Sequence, residues 1–370
     1  MVKSMKHICK KQLYIKQYNL TNELFNENCI FFDIETTGFS PASSSIYLIG
    51  CLRKEGENLI IDQFFAESKD DEREVLEHFM RLLGQYQTII SFNGIGFDIP
   101  FVKAKCDTYG IEENLKNFEY IDIFKLISSI KFLLKLPNYK QKTLENFLDI
   151  HRDDKFSGGE LINVYDDYIK SHSAEAEELL LLHNFDDVTG MMDLIPALSY
   201  LNILNGSFSI KGTEILPFTS YDGKDGLEII ITLENDYIVP KRVSYQFKDY
   251  YFTINKNTTK IRVPLYEGEL KYFYDNYRDY FYLPAEDMAI HKSVATFVDK
   301  EYRERAKASN CYTRKTGVFL PQLETIMSPT FKLGHKDKLS YFELTPDFSS
   351  SDVMLRRYVK HIFTHALQTK

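Results

Sequence analysis

The sequence predicts an α/β chain in two parts: a mixed sheet flanked by helices up to about residue 204, then a β-rich α+β part. Three observations carry this expectation. Strand-like and helix-like segments alternate as far as residue 200, the pattern of a sheet covered by helices. Past Asn205-Gly206 the pattern shifts to short alternating runs of the antiparallel kind. The length, 370 residues, suffices for two or three domains with cores of their own.

Taken in order, residues 29–35 (CIFFDIE), 46–52 and 59–66 are rich in β-branched and aromatic residues and predict three strands. Residues 70–86 carry Val75, Phe79, Leu82 and Leu83 at the spacing of an amphipathic helix. Residues 88–92 form a short buried-type strand that ends at the Asn93-Gly94 turn signal. Further helices are expected at 98–109, 124–134, 142–148 and 174–201. In the second part, residues 227–233, 242–247, 250–255 and 260–265 predict antiparallel strands, and 289–305 and 352–367 predict helices. The expected domains are a basic N-terminal extension at 1–27, a catalytic domain at 28–204 and a β-rich accessory domain at 205–370.

Composition narrows the function classes. Apolar residues are 44% and charged residues 26%, values of an ordinary globular chain rather than a disordered or fibrous one. No apolar run reaches the roughly 18 residues needed to span a bilayer, and the N-terminus lacks the apolar core of a signal peptide. The five cysteines (9, 29, 51, 106 and 311) are widely spaced with no CxxC pair, which argues against a disulfide framework or a zinc knuckle. A cytoplasmic protein without a membrane partner is expected, and no protein partner is predicted. The net charge of −8 is uneven. Residues 1–20 hold five lysines and no acid, residues 21–200 sum to −16, and residues 288–338 sum to +5.

The informative acids begin with DIETTGF at 33–39. Asp33 and Glu35 lie two apart on a strand and so emerge on one face. Two buried acids side by side repel and resist desolvation unless a cation neutralises them, and hard oxygen ligands suit Mg²⁺ or Mn²⁺. Standing alone, such a pair is more simply read as a solvated acidic strand end. Asp98, in SFNGIGFDIPF, follows a strand and a turn and stands where an N-cap residue would. His183 and Asp187, in LLLLHNFDDVTGMMDL, are i and i+4 on a helix and share a face. Leu180, Val188 and Met191 are expected to pack elsewhere on that helix, and Asp186 to be solvated. No Walker-type GK[ST] or complete dinucleotide fingerprint occurs.

Together these motifs, in this order, resemble the DnaQ-like, DEDD-type 3′–5′ exonuclease superfamily over roughly residues 28–200. The N-x-x-x-F-D-x-P stretch is similar to the second exonuclease motif of family B DNA polymerases. The LENFLDIHRDD…GGELINVYDDYI…LLLHNFDDV run resembles the YprB-like bacterial branch. The resemblance implies a ribonuclease-H-like mixed five-stranded sheet flanked by helices. It implies a two-metal exonuclease acting on the 3′ end of single-stranded DNA or RNA. Asp33, Glu35, Asp98 and Asp187 would hold two divalent ions, Mg²⁺ or Mn²⁺, placed to stabilise both the entering and the leaving oxygen of the phosphodiester. By the same resemblance Asp33 bridges the ions, Glu35 and Asp187 complete one of them, and Asp98 holds the other. The amides of Thr37 and Gly38 would receive the terminal 3′-hydroxyl, and Phe39 would wedge against the last base. Asn93 would touch a phosphate or make the turn.

His183 departs from the superfamily's two common patterns, since it is a histidine at the spacing of the tyrosine subgroup. An imidazole can take the proton of an attacking water near neutral pH, and that is the role expected of it, the alternative being to orient the water. The alternatives to an exonuclease are an endonuclease of the same fold and a nucleic-acid-binding module without turnover. In the second part, His291, Lys292, Lys300, Arg303, Arg305, Lys307, Arg314 and Lys315 interleave with Phe297, Tyr302 and Tyr312. Such a run either contacts phosphates and bases or forms a solvated face. His361 and His365 are i and i+4 but have no acid or cysteine at ligand spacing, so no metal is expected there.

Overall fold

A computed structural model describes residues 5–15, 18–152, 156, 158–219 and 223–368. The chain divides into two compact units, residues 1–203 with 237–241, and residues 204–236 with 242–370.

The first unit holds β1 (Lys6–Leu13), α1 (Asn19–Leu24), β2 (Cys29–Thr36), β3 (Ile46–Glu55), β4 (Asn58–Phe65), α2 (Glu72–Leu83), β5 (Thr88–Ser91) and α3 (Asp98–Tyr109). It continues through β6 (Glu119–Asp122), α4 (Ile123–Ser128), α5 (Lys131–Leu134), α6 (Gln141–Phe147), α7 (Gly158–Ser171), α8 (Ala174–Leu194) and α9 (Leu198–Asn205), which runs across the unit boundary. The sheet order is β1-β4-β3-β2-β5-β6. β2, β3, β4 and β1 pair antiparallel, while β2, β5 and β6 pair parallel, so the sheet is mixed.

The expected five strands are therefore six. The N-terminal segment, expected as an extension outside the domain, supplies the sixth by pairing along the whole of β4. Its lysines hid the strand pattern, yet lysines are what an exposed sheet edge uses to discourage further pairing. Residues 1–4 and 16–17 of that basic arm lie outside the described residues.

Alternation along β2 divides its labour. Phe32 packs on Phe79 of α2 with ring centroids 5.0 Å apart, so that face belongs to the core. Asp33 and Glu35 point to the opposite face, where α8 lies against β2, β3 and β4. α8 starts at Ser173, whose hydroxyl accepts from Ala176 N at 3.3 Å, with Glu175 and Glu177 in the first turn. Leu180, His183, Asn184, Val188 and Met191 are buried along one stripe of it. The apolar residues expected elsewhere on this helix thus share the face of His183, and Asp186 is half-buried rather than solvated.

The second unit contains β7 (Phe208–Thr219), β8 (Asp225–Asn235), β9 (Val243–Phe247), β10 (Tyr250–Asn255), β11 (Thr258–Pro264) and β12 (Tyr266–Phe273). β13 (Tyr280–Leu283), β14 (Met288–His291), α10 (Lys292–Ala295), β15 (Glu304–Arg305), β16 (Tyr312–Gln322), β17 (Ser340–Glu343), α11 (Pro346–Ser350) and α12 (Asp352–Leu367) complete it. A five-stranded antiparallel sheet, β7-β8-β11-β10-β9, is accompanied by two three-stranded sheets. α12 buries Tyr358, Val359, Ile362 and Phe363, and Phe363 meets Phe252 of β10 at 5.4 Å. The helix expected at 289–305 is replaced by β14, one turn of helix and β15, because Tyr280–Leu283 pairs with both flanking segments.

His361 is a structural acceptor. Its Nε2 takes a hydrogen bond from Leu323 N at 3.0 Å, so the ring is neutral in the folded chain. Burial, with His365 and Lys248 nearby, lowers its pKa from 6.5 to about 4. The unfolded chain takes up a proton near pH 6.5 that the folded chain refuses until about pH 4, so this contribution to stability is present above pH 6.5 and lost as pH falls between those values. Thermal unfolding followed from pH 7.5 to 5 should show a midpoint falling with acid, and His361→Gln should flatten that fall. An identical slope in the variant would exclude His361 as its source.

Candidate active site

The candidate site lies at the end of β2, where strand pairing becomes irregular. The β2–β3 register shifts between Glu35 and Thr36, a bulge that turns the strand end and re-aims its side chains. The following loop is tied down by Thr37 N donating to Ser45 O at 2.9 Å and Ser45 N donating to Thr37 Oγ1 at 2.9 Å. The Thr37 amide, expected to receive a 3′-hydroxyl, is therefore already committed to the hairpin. Phe39 is 85% exposed and meets Phe97 edge-on at 6.5 Å, so it offers a bare ring at the rim.

Asp98 stands inside the first turn of α3. Its carboxylate accepts from Ile34 N at 3.2 Å, which aims it at β2 and not, as an N-cap would be, at its own helix. The loop before it is built by a residue the sequence did not flag. Asp122, buried at the start of α4, accepts from Asn93 N at 3.1 Å, Ile95 N at 3.2 Å and Lys125 N at 3.0 Å. Asn93 has φ of +63°, so it makes the turn, and its side chain is exposed.

α8 brings the remaining groups. His183 Nε2 lies 3.1 Å from Asp187 Oδ2 and 3.7 Å from Glu35 Oε1. Glu35, His183 and Asp187 each place one ligating atom within 4.8 Å of the others. The other Asp187 oxygen, Oδ1, accepts from Arg152. Arg152 in turn donates to both oxygens of Glu145, which is fully buried on α6. Gln141 donates to Glu145 Oε1 at 2.9 Å and to Asp187 O at 2.8 Å. Gly190 makes this approach possible, since a Cβ there would fall 2.4 Å from Glu145 Oε1. Glu145 and Arg152 both lie in the LENFLDIHRDD run. No spacing within that run discloses that they meet Asp187.

Electrostatics ties Asp33 and Asp98 to the same cluster. Burial, then the charges of Asp98, Asp187 and Glu35, hold the Asp33 carboxyl well above the ordinary carboxylate range, with Arg152 opposing. Burial raises Asp98 to about 7, with Asp122 and Asp187 adding to it and backbone hydrogen bonds opposing. Burial pushes Asp187 up as well, but the hydrogen bond and charge of His183 together with Arg152 outweigh it and hold this carboxyl below its ordinary value. The acids of β2, α3 and α8 thus act on one another, and Asp33 and Asp98 resist ionisation because they are buried and because neighbouring acids add to that cost. A set of hard oxygen donors short of positive charge suits divalent cations of the Mg²⁺ or Mn²⁺ type.

Asn184, one residue after His183, was also missed. It is fully buried, its Nδ2 donates to Asp33 Oδ2 at 3.4 Å, and its Oδ1 accepts from Gln63 Nε2 at 3.1 Å. It lies over Gly50, the residue paired with Asp33 across β2 and β3. A Cβ on Gly50 would fall 2.0 Å from Asn184 Oδ1 and 2.8 Å from Val188 Cγ2. Gly50→Ala should therefore overpack this contact and cost about 1–3 kcal/mol, read as a lower denaturant midpoint. An unchanged midpoint would show that α8 yields freely there.

The expected basic run of the second unit is partly neutralised. Lys292 pairs with Asp279 at 2.7 Å, Arg314 with Glu269 at 3.3 Å and Lys315 with Glu343 at 2.6 Å. Arg303 and Arg305 lie over the Phe281 ring at 4.8 and 4.6 Å, and Phe297 is 90% exposed. His365 has an acid near it after all, Glu324 at 3.7 Å, while His361 is occupied by Leu323 N. Among the described residues no helix is long and apolar enough to cross a membrane.

No curated protein matches the chain. Among solved structures, the family B DNA polymerase of the archaeon Pyrobaculum calidifontis is 13% identical, with a TM-score of 0.36, over 68% of this chain and 35% of the polymerase. Exonuclease I of E. coli, in complex with a dT13 oligonucleotide, is 12% identical, with a TM-score of 0.30, over 56% of this chain and 55% of that one. The chain thus spans from about a third to just over half the length of these two structures. Residues 30–199 match the RNase_H superfamily family model. That match and the mixed sheet with its flanking helices make the first unit a ribonuclease-H-like domain, followed by a β-rich unit.

Proposed function

We propose that the protein is a divalent-metal-dependent nuclease that removes nucleotides from the 3′ end of single-stranded DNA or RNA. The observation that carries this reading is the meeting of Glu35, His183 and Asp187 within 4.8 Å, with Asp98 bound to Ile34 N between Asp33 and Glu35 on the same strand. A surface built only to bind a polyanion gains nothing from four acids, which repel phosphate.

Asp33, Glu35, Asp98 and Asp187 would hold the ions. Two such ions supply stabilisation of the charge that builds on the attacking and leaving oxygens of a phosphodiester. The chain contributes orientation and proton handling. Ile34 N fixes Asp98, Arg152 and His183 meet the two oxygens of Asp187, and His183 in its neutral form is the side chain that would accept a proton from water. Phe39 stands exposed at the rim, where a terminal base could stack.

The test is an end-labelled oligonucleotide incubated with Mn²⁺, wild type beside Asp33→Asn. A ladder from the 3′ end that the variant lacks supports the proposal. Internal cuts would instead make the protein an endonuclease, and binding without cleavage would make it a non-catalytic module.

A further inference from the structure

We infer that Asn184, anchored by Gln63 and admitted by Gly50, is a positioning residue that sets the Asp33 carboxylate for its cation; the inference rests on the metal-dependent reading above. The orientation of the amides follows from one fixed group. Leu181 O is a carbonyl and can only accept, so the Gln63 atom 2.8 Å from it must be Nε2. The same Nε2 faces Asn184 at 3.1 Å, which makes the facing atom Asn184 Oδ1 and turns Nδ2 toward Asp33. The donor therefore reaches one oxygen of Asp33 and leaves the other oxygen to a ligand.

Stability does not account for the arrangement. Asn184 and Gln63 are both fully buried, and Gln63 Oε1 has no hydrogen-bond partner among the described residues. A pair of apolar residues of similar size would fill the same space without an orphaned polar atom. Gly50 adds a second constraint. It lies beside Asp33 in one ladder and beside Gln63 in the next, and without a side chain it leaves the gap that the Asn184 amide occupies. β2, β3, β4 and α8 thus each contribute one part to holding a single carboxylate. Groups that orient a metal ligand from behind commonly matter to affinity 10- to 100-fold, roughly as much as many ligands do.

The test uses the full chain with Asn184→Leu, which keeps the branched shape of its parent, and with Gln63→Met, which is close to its parent in volume. Mn²⁺ binding is titrated by calorimetry without nucleic acid, and thermal unfolding of the metal-free proteins is measured alongside. Each substitution should weaken Mn²⁺ binding by about 10-fold or more, and Gln63→Met should also lower the metal-free midpoint because it leaves the buried Asn184 Oδ1 without its donor. Unchanged Mn²⁺ affinity in both variants overturns the inference, as does a lower midpoint with unchanged affinity. If Asn184→Leu fails to fold, Gln63→Met, whose side chain does not touch Asp33, decides alone. A wild-type chain that takes up no Mn²⁺ removes the metal-dependent reading itself, and this inference with it.

Discussion

Asp33→Asn should lower Mn²⁺-dependent cleavage of a single-stranded oligonucleotide by at least about 10³-fold, equivalent to about 4 kcal/mol of transition-state stabilisation. The size follows from the position of Asp33. Burial together with the charges of Asp98, Asp187 and Glu35 opposes its ionisation, so it is an acid whose charge only a cation would offset. Asparagine has almost the same shape and can still meet Asn184, so the fold should survive. What it removes is the charge at the centre of the cluster. Far-UV circular dichroism of the variant should match wild type. Cleavage within tenfold of wild type would show that the acids do not act as a cation cage.

His183→Ala should slow single-turnover cleavage by about 10²–10⁴-fold without abolishing Mn²⁺ binding. His183 is buried, with Nε2 on Asp187 and within reach of Glu35. That geometry allows two roles, as a proton acceptor or as a holder of Asp187. His183→Gln separates them, because glutamine can donate to Asp187 but cannot take a proton from water. The expected result is that glutamine is as slow as alanine and that both variants have a pH profile of the rate different from that of wild type. Recovery of the rate by glutamine would assign His183 to positioning alone.

The sheet was legible where periodicity was strong. Residues 29–35, 46–52, 59–66 and 88–92 all lie in strands or overlap their ends, and α12 was bounded to the residue. β1 was hidden because its outward positions are lysines, and β6 because four residues carry too little pattern. Residues 289–305 misled because good helix formers such as Ala and Lys cannot outweigh pairing with β13 on both sides. The acids of the site could be read because their order and spacing are themselves a signal. Their supports could not. Arg152, Glu145, Asn184, Gln63 and Asp122 act through partners that are distant in sequence or pointed out only by the packing of helix on sheet. A buried glutamine in a strand looks like any other polar interruption until the residue above it is known.

The guanidinium of Arg152 has one more consequence. Four clustered carboxylates without an internal counter-ion would either pick up protons or spring apart whenever divalent ions are scarce. Here one acid, Asp187, stays ionised and in place, clasped by a side chain whose other grip is on the buried Glu145. The resting protein therefore keeps its jaws set. On the metal-dependent reading, loading the site would be an exchange of partners at a carboxylate already in position, in place of a folding event that each new ion would have to drive.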